Sequence, residues 1–168
     1  EENGRGARGG RPSPASAGSA QSISVGVSRL SLQRGVVEDQ RALVAGAARR
    51  PGLSATIAGR EDALESCRDA RAALLCVPDG AIAEAAAAMT AAIPPLELVG
   101  HTSGATGLDA LGPTLDAGAS VFSLHPLQTI PDADADFTGC PCAIAGSDAD
   151  AVRFARAFAQ RLGMRPFE

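Results

Sequence analysis

The sequence contains no lysine. Its fifteen basic residues are all arginine, nineteen residues are acidic, and the formal net charge is -4. A nucleic-acid-binding domain needs basic residues clustered on one face, so this balance argues against a nucleic-acid partner and favours a small-molecule substrate. No stretch approaches the roughly 18 consecutive apolar residues of a membrane span, and no export signal opens the chain. We therefore expect a soluble protein, and the reduced cysteine thiols predicted below favour a cytoplasmic setting.

The usual spacings of metal ligands are missing as well. The cysteines form no CxxC pair, and neither histidine stands at ligand spacing from them. We predict that Cys140 and Cys142 are small buried side chains with reduced thiols, in or beside a strand. Asp132, Asp134 and Asp136 lack the glycine and the distal glutamate of a calcium loop, which favours a solvated surface loop. No metal site is predicted.

The chain length of 168 residues suits a single domain with a sizeable core. Residues 1–22 are mostly Gly, Arg, Ser, Pro and Ala without apolar periodicity, and we predict that they are disordered. Residues 23–168 are predicted to form the one folded domain. The chain opens with Glu and stops within a predicted strand at 164–167, so we expect both ends to differ from those of the natural protein.

Predicted strands alternate with predicted helices from residue 23 onward. The strands are at 23–27, 54–58, 72–77, 96–100, 120–124, 141–145 and 164–167, and the helices at 36–49, 61–67, 81–92, 108–115 and 148–162. The continuous apolar run 72–77 is typical of a strand buried on both faces, and Asp79 is predicted to cap the next helix. This alternation predicts an α/β fold with a doubly wound parallel sheet and helices on both faces.

Three loops follow apolar strands directly: VPDGAI at 77–82, HTSGA at 101–105 and SLHPLQT at 123–129. In open parallel sheets, ligands bind beyond the carboxyl ends of the strands, where helix N-termini and loop amides converge. We therefore expect the three loops to share one ligand-binding rim.

These segments, in this order and spacing, closely resemble a bacterial Rossmann-like family whose C-terminal helical domain has no assigned function. That family is similar to the pyrroline-5-carboxylate reductases, the prephenate dehydrogenases and relatives of 6-phosphogluconate dehydrogenase. The resemblance covers residues 55–168. It implies a Rossmann-like NAD(P)-binding domain, an oxidoreductase whose substrate is unknown, and a C-terminal helical domain that is absent from this chain and commonly forms a homodimer.

The family pattern places a glycine-rich turn directly after the first strand, because only residues without a Cβ let the backbone approach a pyrophosphate. The corresponding stretch, SRLSLQRG at 28–35, contains no GxGxxG, and the match at Gly4, Gly6 and Gly9 follows no strand. Either the cofactor site was lost in evolution, or a frame error or a misassigned start replaced the residues upstream of about 55. In both cases we expect weak or absent NAD(P) binding; Arg60, near the end of the second predicted strand, favours NADP over NAD.

The candidate cofactor contacts lie in two of the rim loops and are Val77, Pro78, Asp79, His101, Ser103 and Gly104. The resemblance implies that the loop of Pro78 and Asp79 passes beside the nicotinamide ribose. A strand stop followed by a helix cap also accounts for the same two residues without a ligand, and both interpretations can hold together. A polar turn is the corresponding alternative for His101 and Ser103.

His125 is the first candidate for chemistry and Ser103 the second. Histidine side chains generally titrate near neutral pH, and Pro126 restricts His125 to extended conformations. The pair resembles the His-Pro of prephenate dehydrogenases, and a histidine packed in the core is the alternative. The leading hypothesis is an NAD(P)-dependent oxidoreductase in which His125 polarises or protonates a carbonyl or an imine. The alternatives are a catalytically silent nucleotide-binding or interaction module, and a fragment without activity of its own.

Overall fold

The structure is a computed structural model that describes residues 21–26, 53–58, 62–68, 70–92, 95–130 and 135–168. Several predictions concern residues outside these ranges: the disorder of residues 1–20, the missing glycine turn, the helix at 36–49, Arg60, and the positions of Asp132 and Asp134. They stay predictions.

From the second strand to the fifth, and again from the sixth to the seventh, strands alternate with helices in the described residues, as the pattern predicts. The strands are β1 (Gln21–Gly26), β2 (Leu53–Ala58), β3 (Ala72–Leu75), β4 (Leu98–His101), β5 (Ser120–Pro126), β6 (Pro141–Gly146) and β7 (Arg165–Phe167). The α-helices are α1 (Ala63–Ser66), α2 (Ile82–Met89), α3 (Gly112–Asp116) and α4 (Ala149–Arg161). Short 3₁₀ turns at Asp79–Ala81 and Leu108–Leu111 lead into α2 and α3.

The strands form one sheet in the order β2-β1-β3-β4-β5-β6-β7. The chain leaves β1 for β2 on one side and then returns to β3 on the other, so the order reverses at the boundary between β1 and β3. This reversal is the topological switch point of a doubly wound sheet, which confirms the predicted fold class.

The direction of the last two strands differs from the prediction of a wholly parallel sheet. β1 to β5 are parallel, whereas β6 is antiparallel to β5, and β7 is parallel to β6. A parallel neighbour requires a crossover connection of a dozen or more residues, usually a helix. The described part of the connection between β5 and β6 contains no helix, so the chain turns back beside β5, with the Leu127 amide bonded to the Pro141 carbonyl.

Helices cover both faces of the sheet, and each face has its own core. Alternate residues of β3 and its extension belong to different cores. Leu74 and Cys76 pack toward α4, while Leu75 and Val77 pack toward α1, α2 and the 3₁₀ turn Leu108–Leu111. Every residue of β3 is buried, which confirms the strand predicted to be covered on both faces.

All four cysteines are free and buried, which confirms the predicted burial of Cys140 and Cys142. Burial raises the pKa of the Cys76 and Cys142 thiols to about 12. The reactive thiolate is therefore scarce at neutral pH, and these residues act as small core side chains.

The helix predicted from Asp148 to Leu162 is confirmed. The Asp148 carboxylate accepts hydrogen bonds from the amides of Asp150 and Ala151 and thereby caps α4. By contrast, the prediction that Asp79 caps the next helix is wrong. Asp79 is the first residue of a 3₁₀ turn whose cap position is Pro78, and no side chain caps that turn.

Three predicted boundaries also need correction. β5 continues to Pro126, so Ser123 and His125 lie in the strand and not in the loop after it. β1 begins at Gln21, so the predicted disordered segment 1–22 extends two residues into the sheet. β4 ends at His101, which places this histidine in the strand and not in the loop after it. Hydrogen bonding with neighbouring strands sets such ends, and a single-strand pattern does not contain it.

Gly100 illustrates how closely the sheet packs against the α4 face. A Cβ at this position would lie 2.5 Å from ring carbons of Phe122, which is itself buried and makes an edge-to-face contact with Phe154. We expect Gly100→Ala to lower the free energy of unfolding by about 1–3 kcal/mol, because an enclosed ring has little room to move. Chemical denaturation measures the change, with Gly80→Ala as the control, since a Cβ there meets nothing within 4 Å. An equal effect of both substitutions would contradict the argument.

Candidate functional site

The carboxyl ends of β3, β4 and β5 meet at one edge of the sheet. In the strand register, Leu75 pairs with His101, and His101 pairs with Ser123. The segments that follow these three residues therefore emerge side by side at a single rim. This is the juxtaposition that the order of the three loops predicts.

His125 lies near the end of β5, and its half-buried ring reaches across to the loop after β4. Its Nδ1 is 3.0 Å from the carbonyl oxygen of Thr102. Because a carbonyl oxygen only accepts hydrogen bonds, Nδ1 carries the proton in the neutral ring and Nε2 carries the lone pair. The arrangement leaves Nε2 as the atom that can give or take a proton.

Gly104 supports the other side of this ring. A Cβ on Gly104 would lie 2.4 Å from Nε2 of His125 and 2.5 Å from Cδ2, so only glycine leaves room for the imidazole in this position. Gly104, a candidate cofactor contact, therefore lies directly against His125, the first catalytic candidate.

Ser103 organises the loop between these contacts. Its hydroxyl oxygen accepts hydrogen bonds from the amides of Ala105 and Thr106 and donates one to the Thr106 hydroxyl. The side chain is buried, and all of these partners lie within the loop. The polar-turn interpretation of Ser103 therefore has direct support, whereas its catalytic role stays a prediction.

His101 is fully buried at the end of β4. Its Nε2 lies 3.3 Å from the carbonyl oxygen of Gly107, so Nε2 carries the proton and Nδ1 is the unprotonated nitrogen. Burial lowers the pKa of His101, and the charge that His125 can carry lowers it further; the Gly107 carbonyl and the carboxylates of Asp79 and Asp109 act in the opposite direction. With this pKa, His101 is neutral at pH 7.

The loop after β3 contributes one buried and two accessible residues. The Val77 side chain is 1% exposed and belongs to the core, which leaves only its backbone for a ligand. Pro78 is half-buried, and Asp79 is exposed. Because Asp79 makes no capping bond, its carboxylate remains at the rim and is suited to accept hydrogen bonds from ligand hydroxyls.

The structure thus groups His101, Ser103, Gly104 and His125 around one loop and places Asp79 within electrostatic range of His101. Sequence reasoning missed the backbone carbonyls of Thr102 and Gly107, which hold the two histidine rings. A pattern of side chains in the sequence does not indicate which backbone carbonyl will accept a hydrogen bond. Asp109 was also missed, although its place just after the glycine-rich loop was a usable signal.

The sequence profile of the Rossmann-like domain family matches residues 35–126, which is more than half of the chain. The chain belongs to this family of Rossmann-like domains. The match covers the end of β5 with His125 as well as the loop that contains Ser103 and Gly104. No curated protein sequence matches the chain.

Several solved structures with the same fold are named as oxidoreductases. A Bacteroides fragilis protein assigned as an NADP oxidoreductase is 17% identical with a TM-score of 0.62, covering 89% of this chain and 62% of its own. Pyrroline-5-carboxylate reductase from Coxiella burnetii is 11% identical with a TM-score of 0.59, covering 86% and 58%. Prephenate dehydrogenase from A. aeolicus, solved with hydroxyphenyl propionate and NAD+, is 13% identical with a TM-score of 0.57, covering 86% and 59%.

The last two proteins represent two of the groups that the sequence motifs resemble. At these identities the similarity shows the fold of this Rossmann-like domain alone. The domain spans about three fifths of the length of each of these structures. Among the residues that the structure describes, no helix has the length and apolar character needed to cross a membrane.

Proposed function

We propose that this chain is the NAD(P)-binding domain of a bacterial, cytoplasmic oxidoreductase that acts on a small carbonyl or imine compound. The observation that carries the proposal is the state of His125 at the rim of the sheet, where Nδ1 is held by the Thr102 carbonyl and Nε2 is left to exchange a proton. The fold supports it, because ligands of doubly wound sheets bind at this edge and solved relatives of the fold are named as NAD or NADP enzymes.

The rim residues fit the nicotinamide end of such a cofactor. Asp79 offers an exposed carboxylate to the ribose hydroxyls, and Pro78 beside it offers an apolar surface. At Gly104 the His125 ring fills the space that a Cβ would need, so Gly104 is proposed to contact the cofactor through its backbone. Bound NAD(P) would supply or accept the hydride.

His125 is assigned the proton that accompanies this hydride. Reduction of a carbonyl or an imine consumes one hydride and one proton, and protonated His125 delivers the proton from Nε2 to the substrate oxygen or nitrogen. In the reverse direction, the Nε2 lone pair accepts the proton from the alcohol or the amine. Ser103 is the second catalytic candidate. Its three hydrogen bonds within the loop stabilise the loop conformation.

The whole protein is proposed to be a homodimer with a C-terminal helical domain that completes the substrate pocket. Leu127, just after β5, and Phe167, in β7, are large apolar side chains exposed on this domain. A further domain packed on them would remove this apolar surface from water. Its partners are proposed to be small molecules and not nucleic acid.

A titration with NADPH and NADH tests cofactor binding directly. We expect the chain to bind weakly or not at all, because SRLSLQRG at 28–35 lacks the glycines that let a backbone approach pyrophosphate. A variant in which these residues are replaced by a GxGxxG turn is expected to bind at least about tenfold more tightly. Low-micromolar binding by the unaltered chain would contradict the expectation of a defective turn.

Substitutions in the glycine-turn variant locate the cofactor. Asp79→Asn is expected to weaken binding roughly tenfold, the scale of one lost hydrogen bond to a charged group. Asp150→Asn is the matched control, since Asp150 lies in the first turn of α4 and pairs with Arg153 beside the amino ends of β4 and β5. Equal effects of both substitutions would argue against a cofactor at this rim.

A catalytically silent nucleotide-binding or interaction module is the second candidate. The observation that favours it is the missing glycine turn after β1. If neither the chain nor the glycine-turn variant binds NADPH or NADH, the silent module replaces the oxidoreductase.

A further inference from the structure

His101 is a polar side chain in a position that suits an apolar one. It is 0% exposed and shares a face of β4 with the buried Val99, two residues earlier in the strand. Its sheet neighbour Leu75 is buried as well. Burying an imidazole costs free energy unless hydrogen bonds replace its water, and Nδ1 of His101 has no hydrogen-bond partner. His101 therefore lowers the free energy of unfolding compared with an apolar side chain. Its one hydrogen bond, from Nε2, is the feature that can account for a histidine at this position.

That hydrogen bond closes the loop after β4. His101 stands immediately before the loop, and Gly107, whose carbonyl accepts the Nε2 proton, stands at its far end. Inside the loop, Ser103 bonds the amides of Ala105 and Thr106. The loop is thus fixed both across its ends and through its interior.

The same loop makes both contacts that fix the His125 ring. The Thr102 carbonyl receives the Nδ1 proton at 3.0 Å, and the Gly104 backbone lies against the Nε2 edge of the ring. Both contacts come from residues between His101 and Gly107. The position of the His125 ring therefore depends on a loop whose ends are joined by the His101 side chain.

We propose that His101 is a positioning residue: its bond to the Gly107 carbonyl keeps the 102–107 loop in the conformation that holds His125 with the proton on Nδ1 and the lone pair on Nε2. This inference rests on the role proposed for His125. Without the bond from His101, the Thr102 carbonyl is free to turn away, and the His125 proton then distributes between the two ring nitrogens. The lone pair needed at Nε2 is lost in a fraction of the molecules.

The charged and titratable groups around His101 fit this role. Asp79 in the turn before α2, Asp109 in the turn before α3 and His125 on β5 all act on it electrostatically, and burial lowers the pKa of His101 the most. A neutral His101 adds no positive charge beside His125. It can therefore hold the loop without opposing protonation of the catalytic ring.

Nitrogen-15 NMR of the two histidines tests the proposal in the protein alone, without cofactor or substrate. His101→Leu removes the donor and fills similar space, whereas His101→Gln keeps a donor at the place of Nε2. We expect His125 in the unaltered chain and in His101→Gln to show one protonated and one unprotonated nitrogen, with the proton on Nδ1. In His101→Leu the two nitrogen shifts should move toward each other, as expected for mixed tautomers.

Thr114→Val is the matched control, because it also removes a hydrogen bond from a buried side chain, the one from Thr114 Oγ1 to the Leu111 carbonyl at 2.8 Å. It should leave the His125 signals unchanged. His101→Met, which also lacks the donor and adapts its shape to the core, provides the same test if His101→Leu does not fold.

In an active full-length protein, His101→Leu should lower turnover by up to about 10²-fold, and His101→Gln should restore most of it. Unchanged His125 signals in folded His101→Leu or His101→Met would overturn the positioning role and leave the proposed oxidoreductase function intact. Failure of both the unaltered chain and the glycine-turn variant to bind NADPH or NADH would overturn the proposed function and leave the NMR result unaffected.

Discussion

We expect His125→Asn to lower the rate of hydride transfer by about 10²–10⁴-fold, the usual contribution of a positioned general acid or base. Asparagine lacks a group that titrates, but its amide nitrogen can take the place of Nδ1 and donate to the Thr102 carbonyl, which His125 now contacts at 3.0 Å. The substitution therefore removes the proton exchange at Nε2 while it keeps the loop contact. NAD(P)H affinity should change little, because the proton acts in the transition state.

The change in nicotinamide absorbance measures this rate in the full-length protein with its glycine turn restored and a substrate found among small carbonyl and imine compounds. His125→Ala serves as the comparison, because it removes both the proton exchange and the donor to Thr102. We expect it to reduce the rate at least as much and also to disturb the loop. Full activity in His125→Asn would return His125 to the interpretation of a packed core histidine.

Gly104→Ala should lower turnover through the addition of one methyl group. The new Cβ would lie 2.4 Å from Nε2 of His125, so the ring has to swing away and lose its bond to the Thr102 carbonyl. A displacement of this size at a catalytic group costs up to about 10²-fold in turnover. Stability should fall by only about 1 kcal/mol, the net value of one hydrogen bond, because the half-buried ring has room to rotate.

Gly112→Ala is the control for this substitution. Gly112 begins α3, and a Cβ there meets nothing within 4 Å. We expect unchanged turnover and unchanged His125 NMR signals in this variant. A Gly104→Ala protein with normal His125 signals would show that the loop adjusts in place of the ring and would remove the reason given for glycine at this position.

A Cβ would overlap a neighbouring ring at both Gly104 and Gly100, but the expected consequences of the two substitutions differ. At Gly100 the clash is with Phe122, an enclosed core ring, so the cost falls on stability. At Gly104 the clash is with the movable end of His125, so the cost falls on function. Comparing the two substitutions therefore distinguishes an effect on the packing of the sheet from an effect on the geometry of the rim.

The alternation of apolar strands with helices was enough to predict the doubly wound sheet, and the position of each loop after a strand was enough to predict a shared rim. Pro126 was enough to predict an extended His125, which lies in β5. These features depend on local patterns, in which neighbouring residues along the chain constrain one another. They were therefore readable from one sequence.

Only the tertiary structure decided which way β6 runs, because alternation of side chains does not encode strand direction. The tertiary structure also determined which groups contact the ring of His125. The partner of His125 is a backbone carbonyl 23 residues away in the chain, and the overlap with Gly104 exists only because two strand ends meet. Backbone carbonyls are present at every residue, so a sequence cannot mark which one will face an imidazole; the packing of β4 beside β5 makes that choice.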